Sequence, residues 1–274
     1  MERRFYALRL LYDGGHFRGF QRQPGLPTVQ EALEDALEGI GVSTTLQVAA
    51  RTDAGVHAVA QVVGFAARVA LDPDALRRAL NAALPQGILV LDAWRVPHTF
   101  HARANALTRT YVYLVGAPPP EPLLPYAWRL PDARAFPDLT DVDLDPATLR
   151  SSLAHAVGEH DFAGFARPGE QRGTVRTLLS AEVISADWAP LHAIVLEGKG
   201  FLRAMVRNLV GSAVTAGVGR APPTVIRDLL AARGRYRGVR APGWGLTLAA
   251  VRYPPGLLER PADPPGSGSR PAGE

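Results

Sequence analysis

Apolar residues recur along the chain with two spacings, which together predict alternating β-strands and amphipathic helices. Short runs in which every second residue is apolar, or in which β-branched and aromatic residues follow one another, predict strands. Longer segments with apolar residues three and four positions apart predict helices. The predicted strands cover residues 4–12, 45–50, 59–67, 88–96, 108–116, 175–186, 191–198 and 246–253.

Capping residues mark where three of the predicted helices begin. Thr28 and Glu31 have the spacing of a capping box. Asp72-Pro73 and Asp145-Pro146 each place a cap residue before a proline, which the first turn of a helix tolerates. The predicted helices cover residues 28–38, 72–84, 145–157, 201–216 and 224–232.

The two halves of the chain show the same order of predicted elements, β-α-β-β-α-β. This order predicts an α+β fold in which two similar, ferredoxin-like (split βαβ) halves form one extended, mainly antiparallel sheet with a central active-site cleft. Residues 1–105 are the N-terminal half and residues 106–253 the C-terminal half. The Pro-, Gly- and Ser-rich residues 254–274 are expected to be a disordered tail. A proline-rich, acidic segment at 118–145 is too long for a simple connection.

The positive charge of the protein comes almost entirely from arginine. Of its 30 basic residues only Lys199 is a lysine, and the formal net charge is +4. Arginine binds phosphates and base edges through its planar fork, so this composition favours a nucleic-acid partner. A GC-rich genome or adaptation to heat would give the same bias.

The sequence contains no cysteine, which excludes disulfides and cysteine-based sites. We expect a cytoplasmic protein, because the sequence shows no secretory or bilayer-spanning apolar run.

The most unusual polar stretch is residues 51–58, Arg-Thr-Asp-Ala-Gly-Val-His-Ala, which lies between two predicted strands. It contains one carboxylate, Asp53, with Arg51 two positions before it, and Gly55 permits a tight turn or the close approach of a ligand. A short polar loop on a scaffold of strands is a common place for catalytic groups. The alternative is a hairpin turn in which Asp53 caps its own backbone.

Further motifs accompany this loop in a fixed order along the chain. They are Tyr12-Asp13-Gly14, Thr28-Val29-Gln30, residues 51–58, Leu80-Asn81 with Leu84-Pro85, Phe100-His101-Ala102-Arg103, Arg109-x-Tyr111-x-Tyr113, Val175-Arg176-Thr177, Phe201-Leu202 with Met205-Val206-Arg207-Asn208, Gly211, and Ala241-Pro242 with Gly245-Leu246. Together the motifs resemble the tRNA pseudouridine synthase A family over residues 4–253. Two places depart from the family pattern: Ala50 stands where glycine is expected, and Gly243-Trp244 where small or basic residues are expected.

The resemblance implies an isomerase that converts uridine to pseudouridine at positions 38, 39 and 40 of the tRNA anticodon stem-loop. The uracil is cut from C1′ of the ribose, rotated and rejoined through C5, so the target nucleotide must be flipped out of its stack into a pocket. The resemblance also implies that no metal or organic cofactor takes part, and that a homodimer binds one tRNA across both subunits.

Three residues match the catalytic positions of the family. Asp53 matches the catalytic aspartate, which either adds to C1′ or removes a proton from C2′, and the sequence leaves both routes open. Arg207 matches the arginine that pairs with this carboxylate across the cleft, ideally through two hydrogen bonds. Tyr111 matches the tyrosine that packs on the target base and can transfer the C5 proton. Tyr113, two positions further on, is the less favoured candidate.

Other residues are expected to hold the substrate or to support the loop. Arg51 is the candidate for keeping the flipped base out of its stack, and Leu246 is the candidate for an apolar wall of the pocket. His57 is expected to support the loop through a hydrogen bond rather than to take part in the chemistry. Surface arginines are usually only solvated, and the candidates for phosphate contacts are Arg18, Arg22, Arg103 and Arg109.

Two other functions fit part of the sequence. A metal-dependent hydrolase would use Asp13, His16, Asp53 and His57 as ligands, but their spacing matches no established ligand pattern. A non-catalytic RNA-binding protein would explain the arginines and the aromatic residues. It would not explain a carboxylate in a basic, RNA-facing loop, because Asp53 repels phosphate and weakens binding.

Overall fold

The structure is a computed structural model, and it describes residues 3–166, 173–232 and 238–258. These residues form ten strands and five α-helices. The strands are β1 (Arg4–Tyr12), β2 (Gln47–Val48), β3 (His57–Ala67), β4 (Ile88–Val96), β5 (Thr108–Gly116), β6 (Ala127–Arg129), β7 (Gly158–Asp161), β8 (Val175–Ser185), β9 (Leu191–Gly198) and β10 (Leu246–Arg252). The helices are α1 (Val29–Gly39), α2 (Pro73–Ala83), α3 (Pro146–Ala154), α4 (Met205–Gly217) and α5 (Val225–Ala232).

The strands belong to one mixed sheet with the order β4-β1-β3-β10-β5-β9-β8-β7, while β2 pairs with β3 and β6 with β5 beside this path. Among the described strands only β10–β3 and β5–β6 are parallel pairs, so the predicted α+β fold with a mainly antiparallel sheet is confirmed. The N-terminal strands lie in the order β4-β1-β3-β2 and the C-terminal strands in the order β10-β5-β9-β8. We keep as a prediction that the two halves are copies of one ferredoxin-like unit.

The two halves are joined through a short parallel pairing of β3 with β10. The register of this pairing places His57 opposite Thr247. Parallel strands begin at the same edge of a sheet, so the connections that precede β3 and β10 meet there. Residues 51–56 and residues 242–245 are therefore neighbours in space, although they are far apart in the sequence.

The hydrophobic core lies mainly on one face of the sheet. Successive residues of β1 point to opposite faces, so that Leu8 and Leu10 belong to the main cluster under the helices and Ala7 to a smaller cluster on the other face. The smaller cluster also contains Phe100, which packs against Tyr253. None of the five described helices is both long and apolar enough to cross a bilayer.

Most boundaries predicted from the sequence are confirmed. β1, β4, β5 and β9 have the predicted limits, and α1 and α2 begin where the capping signals indicate. The side chains of Thr28, Asp72 and Asp145 each accept a hydrogen bond from the backbone of the turn that follows. These signals are local, which is why the sequence alone is enough to read them.

The strands near the polar loop differ from the prediction. β2 has two residues instead of the predicted 45–50, because the Gln61 side chain, rather than a strand backbone, binds the backbone N–H and C=O of Ala50. β3 begins at His57, two residues earlier than predicted. The short strands β6 and β7 were not predicted, and α3 ends at Ala154 rather than near residue 157.

α4 begins at Met205, not at residue 201 as predicted. Ala204 has a φ of 65°, a left-handed conformation that cannot continue a right-handed helix. Residues 200–204 are therefore a loop, and Ala204 is the only non-glycine residue with positive φ in the described part of the chain.

The predicted disordered tail begins at residue 254. Residues 255–258 form turns, and Leu257 and Leu258 pack against the smaller cluster. Residues 259–274, the rest of the predicted tail, lie outside the described residues.

Asn81 fastens α2 to β4, the outer strand of the sheet. Its side chain donates to the Val90 carbonyl oxygen (Nδ2···O 3.0 Å) and accepts from the Val90 N–H (N···Oδ1 2.7 Å). We predict that Asn81→Ala lowers the free energy of unfolding by about 1–3 kcal/mol, because both backbone groups lose their partner. Urea denaturation measures the loss. Arg78→Ala, on the exposed side of α2, is the control and should change stability by less than about 0.5 kcal/mol; equal losses in the two variants would contradict the prediction.

Candidate active site

Residues 51–56 form a tight turn between β2 and β3. The Val56 N–H donates to the Asp53 carbonyl oxygen (N···O 3.2 Å). Gly55 has a φ of 76°, a conformation that L side chains rarely adopt, so the turn requires glycine here. The turn sits at the edge of the sheet where the two halves meet.

A network of buried side chains holds the loop from behind. The Tyr12 hydroxyl lies 2.7 Å from Thr52 Oγ1 and accepts a hydrogen bond from Gln61 Nε2 (3.2 Å), so its own proton is directed to Thr52. Gln61 also binds both backbone groups of Ala50 (2.7 and 3.2 Å). Burial raises the pKa of Tyr12 to about 12, which keeps the hydroxyl protonated and able to donate. Side-chain hydrogen bonds thus hold Ala50 and Thr52 at the start of the loop, beyond the last residue of β2.

The two departures from the family pattern do not disturb this loop. Ala50 is not among the residues with positive φ, so alanine carries no conformational cost there. Gly243 approaches the loop so closely that a Cβ atom would lie 2.3 Å from the Ala54 carbonyl oxygen. Trp244 is 40% exposed, and its carbonyl oxygen contacts His57. The segment before β10 therefore needs glycine at 243 but uses only the backbone of residue 244 to bind the loop.

His57 ties three segments together through its two ring nitrogens. Nδ1 accepts from the Gly14 N–H (3.0 Å), and Nε2 lies 3.0 Å from the Trp244 carbonyl oxygen, which can only accept. These partners require a neutral ring with its proton on Nε2. Burial lowers the pKa of His57 and favours this neutral form, although Asp13 Oδ1, 3.1 Å from Nδ1, acts in the opposite direction. This geometry matches the supporting role expected for His57.

Tyr126, from the 118–145 segment, packs against this histidine. Its ring centroid lies 5.0 Å from that of His57 in an edge-on arrangement, and its hydroxyl donates to Asp13 Oδ2 (3.2 Å). The long segment that follows β5 in the C-terminal half therefore contacts His57, which supports the Asp53 loop. No motif in the sequence indicates this contact.

The structure brings Asp53 and Arg207 together across the two halves. Arg207 lies in the first turn of α4, and its Nη1 donates to Asp53 Oδ2 (3.2 Å). Its Nε donates to the Ala241 carbonyl oxygen (2.7 Å). The pair is therefore not the two-bond contact expected from the sequence, because the backbone of residue 241 takes up one side of the guanidinium.

A second arginine, which sequence reasoning missed, also faces Asp53. Arg203 Nε lies 3.6 Å from Asp53 Oδ1, so that each carboxylate oxygen has its own cation. The signal in the sequence was the spacing of four between Arg203 and Arg207, which places two side chains on one face of a helix. In the structure Arg203 precedes α4 and reaches Asp53 from the loop that ends at Ala204.

The two tyrosines of β5 differ in their hydrogen bonding. The Tyr113 hydroxyl donates to the Pro242 carbonyl oxygen (3.0 Å). The Tyr111 hydroxyl has no hydrogen-bond partner within the described ranges, and its ring meets Phe201 edge-on at 5.2 Å between centroids. Tyr111 is therefore the one of the two whose hydroxyl is left for a ligand.

Burial raises the pKa of Tyr111 far above its ordinary value. The neighbouring Tyr12 and Asp53 raise it further, and Arg109 opposes them. Tyr111 is a protonated phenol at neutral pH, suited to stacking and to donating a hydrogen bond.

Leu246 and Arg51 complete the side chains expected at the site. Leu246 is buried at the start of β10, directly opposite Tyr113 in the register of the sheet. Arg51 is exposed, and in the part of the chain that the structure describes its side chain has no ion pair or hydrogen bond. Leu246 thus neighbours Tyr113 on the adjacent strand, and the Arg51 side chain faces solvent.

Arg109 does not have the exposed position expected of a phosphate contact. Its side chain is buried, and its two terminal nitrogens donate to the carbonyl oxygens of Ala49, Arg103, Ala106 and Lys199 at 2.7–3.1 Å. A buried guanidinium needs such acceptors to replace water. In this structure Arg109 binds three backbone segments through four carbonyl oxygens, so its terminal nitrogens are not available to a phosphate.

The other phosphate candidates remain on the surface. Arg18 and Arg103 are exposed. Arg22 lies within 3.3–3.6 Å of three carboxylates of α1, so its charge is already balanced by the protein. Those carboxylates belong to Glu31, Glu34 and Asp35.

The four residues considered as metal ligands do not form a ligand set. Asp13 contacts His16 and His57, but Asp53 is paired with arginines instead. Both nitrogens of His57 are taken up by backbone groups. Across the described residues, no group of three or more His, Cys, Asp or Glu side chains is arranged to hold a metal ion.

Comparisons with known proteins agree with the motifs. The chain matches the sequence model of the family described as tRNA pseudouridine synthase at residues 10–103 and 153–254. It is 40% identical over 256 residues to tRNA pseudouridine synthase A of Methylacidiphilum infernorum, covering 91% of this chain and 96% of that protein. It is 42% identical over 262 residues to the protein of the same name from Frankia casuarinae, covering 90% and 89%.

Likeness to solved structures is much weaker. A chain of the Cbf5–Nop10–Gar1 complex aligns with 75% of this chain and 45% of its own length, at 12% identity and a TM-score of 0.34. Likeness at this level supports no argument about the site.

The buried His57 should make the stability of the fold depend on pH. Its pKa in the folded protein lies below the ordinary value of 6.5, so the unfolded chain binds more protons between these two values. The neutral ring therefore stabilises the fold above pH 6.5, and this contribution is lost as the pH falls through the folded-state pKa. We predict that the wild type loses more unfolding free energy between pH 7.5 and 5 than His57→Gln, which cannot titrate there.

Urea denaturation at each pH measures this difference. His192, whose pKa burial and Arg150 also lower, titrates in both proteins and cancels in the comparison. An equal loss in wild type and variant would refute the assignment of a neutral His57.

Proposed function

Because this chain belongs to the tRNA pseudouridine synthase family, and is therefore an isomerase that converts uridine to pseudouridine in tRNA, we propose that it acts at positions 38, 39 and 40 of the anticodon stem-loop with Asp53 as the catalytic carboxylate. The observation that carries the site proposal is the ion pair of Asp53 with Arg207 across the two halves. A half-buried carboxylate held by a cation from the other half is a costly arrangement that RNA binding alone does not require.

The isomerisation breaks the bond from C1′ to N1 of uracil and forms the bond from C1′ to C5. Asp53 either adds to C1′ as the uracil leaves, or removes a C2′ proton. In the first route the bond from Asp53 to C1′ breaks when C5 attacks C1′, and in the second the proton returns to C2′ when the C1′–C5 bond forms. In both routes N1 gains a proton and C5 loses one, so no atoms are exchanged with a co-substrate. Arg207 stabilises the negative charge of Asp53 when RNA displaces water from the site.

Tyr111 is proposed to stack on the flipped uracil. Its hydroxyl has no partner among the described residues, and its ring lies beside that of Phe201, so that the two rings form an aromatic wall. A raised pKa disfavours the phenolate that removal of the C5 proton would need, so the geometry supports stacking more strongly than proton transfer. Leu246 continues this wall on the next strand.

Arg51 is proposed to occupy the space that the flipped base leaves in the RNA stack. It is exposed, unpaired within the described residues, and two positions from Asp53. Arg18 and Arg103 are proposed phosphate contacts on the surface around it. Arg22 is a weaker proposal, because it would have to leave three carboxylates of α1.

We also propose that the protein is a cytoplasmic homodimer that binds one tRNA across both subunits. A surface suited to a second copy is the face of the C-terminal half opposite the main core. Val112, Leu114 and Val195 lie on it half-buried, and Ile184 is more than half exposed. A contiguous apolar face of this kind is typical of a protein interface.

Tritium release from C5-tritiated uridine tests the catalytic role of Asp53. We predict that wild type releases tritium from an unmodified tRNA transcript and that Asp53→Asn lowers the rate at least about 100-fold without weakening RNA binding, because the variant keeps the shape of the side chain but loses its charge. Asp138→Asn is the control, since Asp138 is an exposed carboxylate paired with Arg220, and it should behave as wild type.

The same assay tests the target positions. Transcripts with a single uridine at 38, 39 or 40 should release tritium, and a transcript with uridine only in the acceptor stem should not. Release that survives in Asp53→Asn would place the chemistry elsewhere. Tight binding by wild type without any release would favour a non-catalytic RNA-binding protein.

Sedimentation velocity tests the dimer. We predict that Val195→Glu dissociates it, because the new carboxylate would face Val112 and Glu182 on the neighbouring strands and would lose its hydration at an interface. Ala83→Glu, an exposed position at the end of α2, is the control and should stay dimeric. A wild type that sediments as a monomer, or a Val195→Glu variant that sediments with the control, would contradict the proposed interface.

A further inference from the structure

The two arginines that face Asp53 differ in how firmly they are held. Arg207 is mostly buried, and it is anchored by the Ala241 carbonyl oxygen as well as by Asp53. The Arg203 side chain is 58% exposed, and Asp53 Oδ1, at 3.6 Å, is its one partner among the described residues. An exposed pair with a single long contact contributes little to stability and is readily exchanged. One cation is therefore fixed and the other can leave.

The side chains that face Asp53 carry more positive charge than is required to neutralise its carboxylate. Two guanidinium groups face one carboxylate, which leaves one positive charge in excess. Both arginines lie at the N-terminal end of α4, where the helix dipole is already positive and cations are normally unfavourable. An excess of positive charge beside a proposed RNA-binding cleft suits the approach of a phosphate.

Catalysis by Asp53 requires one of its oxygens to be accessible. Arg207 occupies Oδ2, and Arg203 lies beside Oδ1. The ribose C1′ or C2′ can approach only an oxygen that is not covered by a guanidinium. The exposed arginine is the one that can move away, because Arg207 is held on two sides.

We propose that Arg203 is a transferable counterion: it pairs with Asp53 Oδ1 in the free enzyme and with a backbone phosphate of the tRNA in the complex, which frees Oδ1 for the ribose. This inference rests on the proposed catalytic role of Asp53. It assigns Arg203 a contact with the substrate, and it couples RNA binding to the uncovering of the catalytic oxygen. The left-handed Ala204 keeps Arg203 outside α4, where it is not constrained by helical geometry.

Competition between Asp53 and phosphate for one arginine has a measurable consequence. Removing the charge of Asp53 should release Arg203 for the RNA, so Asp53→Asn should bind tRNA slightly tighter than wild type. In an Arg203→Gln background the same change should bring a smaller gain, because there is no counterion to release. If the effects of the two changes on tRNA affinity are not additive, Asp53 and Arg203 are coupled. Simple repulsion of phosphate by Asp53 would give additive effects.

The salt dependence of tRNA binding provides the direct test. Each phosphate neutralised by the protein contributes about 0.7–0.9 to the slope of log affinity against log salt. We expect Arg203→Gln to reduce this slope by about that amount and to raise KM several-fold with little change in kcat, whereas Arg203→Lys should restore the slope. Arg220→Gln is the matched control, since Arg220 is an exposed arginine paired with Asp138 and remote in sequence from Asp53; its slope should equal that of wild type.

The outcomes separate this inference from the proposed function. An unchanged salt slope with a reduced kcat in Arg203→Gln would mean that Arg203 only stabilises Asp53, and would overturn the transfer to phosphate. Tritium release that survives in Asp53→Asn would instead overturn the proposed catalytic role, whatever the slope. Thermal unfolding of each variant, expected within a few degrees of wild type, shows whether the fold is retained.

Discussion

The arrangement of the site depends on the short parallel pairing of β3 with β10. This pairing is what places the loop of Asp53, which precedes β3, against the segment that precedes β10. Antiparallel pairing would put the beginnings of the two strands at opposite edges of the sheet and separate them by the length of a strand. The carboxylate comes from the N-terminal half, whereas Arg207, Tyr111 and Leu246 come from the C-terminal half. Neither half contains a complete site.

Most polar groups at the junction of the halves have hydrogen-bond partners within the protein. These partners replace water and allow the groups to be buried there. His57 and Arg109 bind backbone groups of several segments, and each replaces the water that would otherwise solvate those groups. Tyr12 and Gln61 do the same for the start of the Asp53 loop. The Tyr111 hydroxyl and the exposed Arg51 side chain are among the groups that are unpaired within the described residues. Unpaired polar groups are expected where a ligand completes the bonding.

Local signals in the sequence predicted most of the fold. Strand limits and the helix caps at Thr28 and Asp72 depend on neighbouring residues, so the pattern alone reveals them. The predicted start of α4 was wrong because apolar spacing does not show the left-handed backbone of Ala204. β2 is shorter than predicted because the side chain of Gln61, a residue of another strand, replaces strand pairing. No local pattern encodes such a contact.

The sequence motifs predicted part of the candidate site. Asp53 and Arg207 are paired as the motifs imply, while the place of Tyr111 in the site and the catalytic roles of all three stay proposals. Arg109 was named a phosphate contact because charge is visible in a sequence and burial is not. Arg203 was overlooked because its partner lies 150 positions earlier in the chain, in the other half.

The side chain of Asn81 has a consequence for the protein in solution as well as for its fold. A sheet that is not closed into a barrel ends in strands whose backbone groups can recruit a strand from another molecule, which is a route to aggregation. At β4 the amide of Asn81 occupies both hydrogen-bonding groups of Val90, in the manner of a neighbouring strand. An incoming strand would have to displace it before it could pair along β4. One amide thus occupies a pairing position within β4 and interrupts the row of backbone groups that an incoming strand would need.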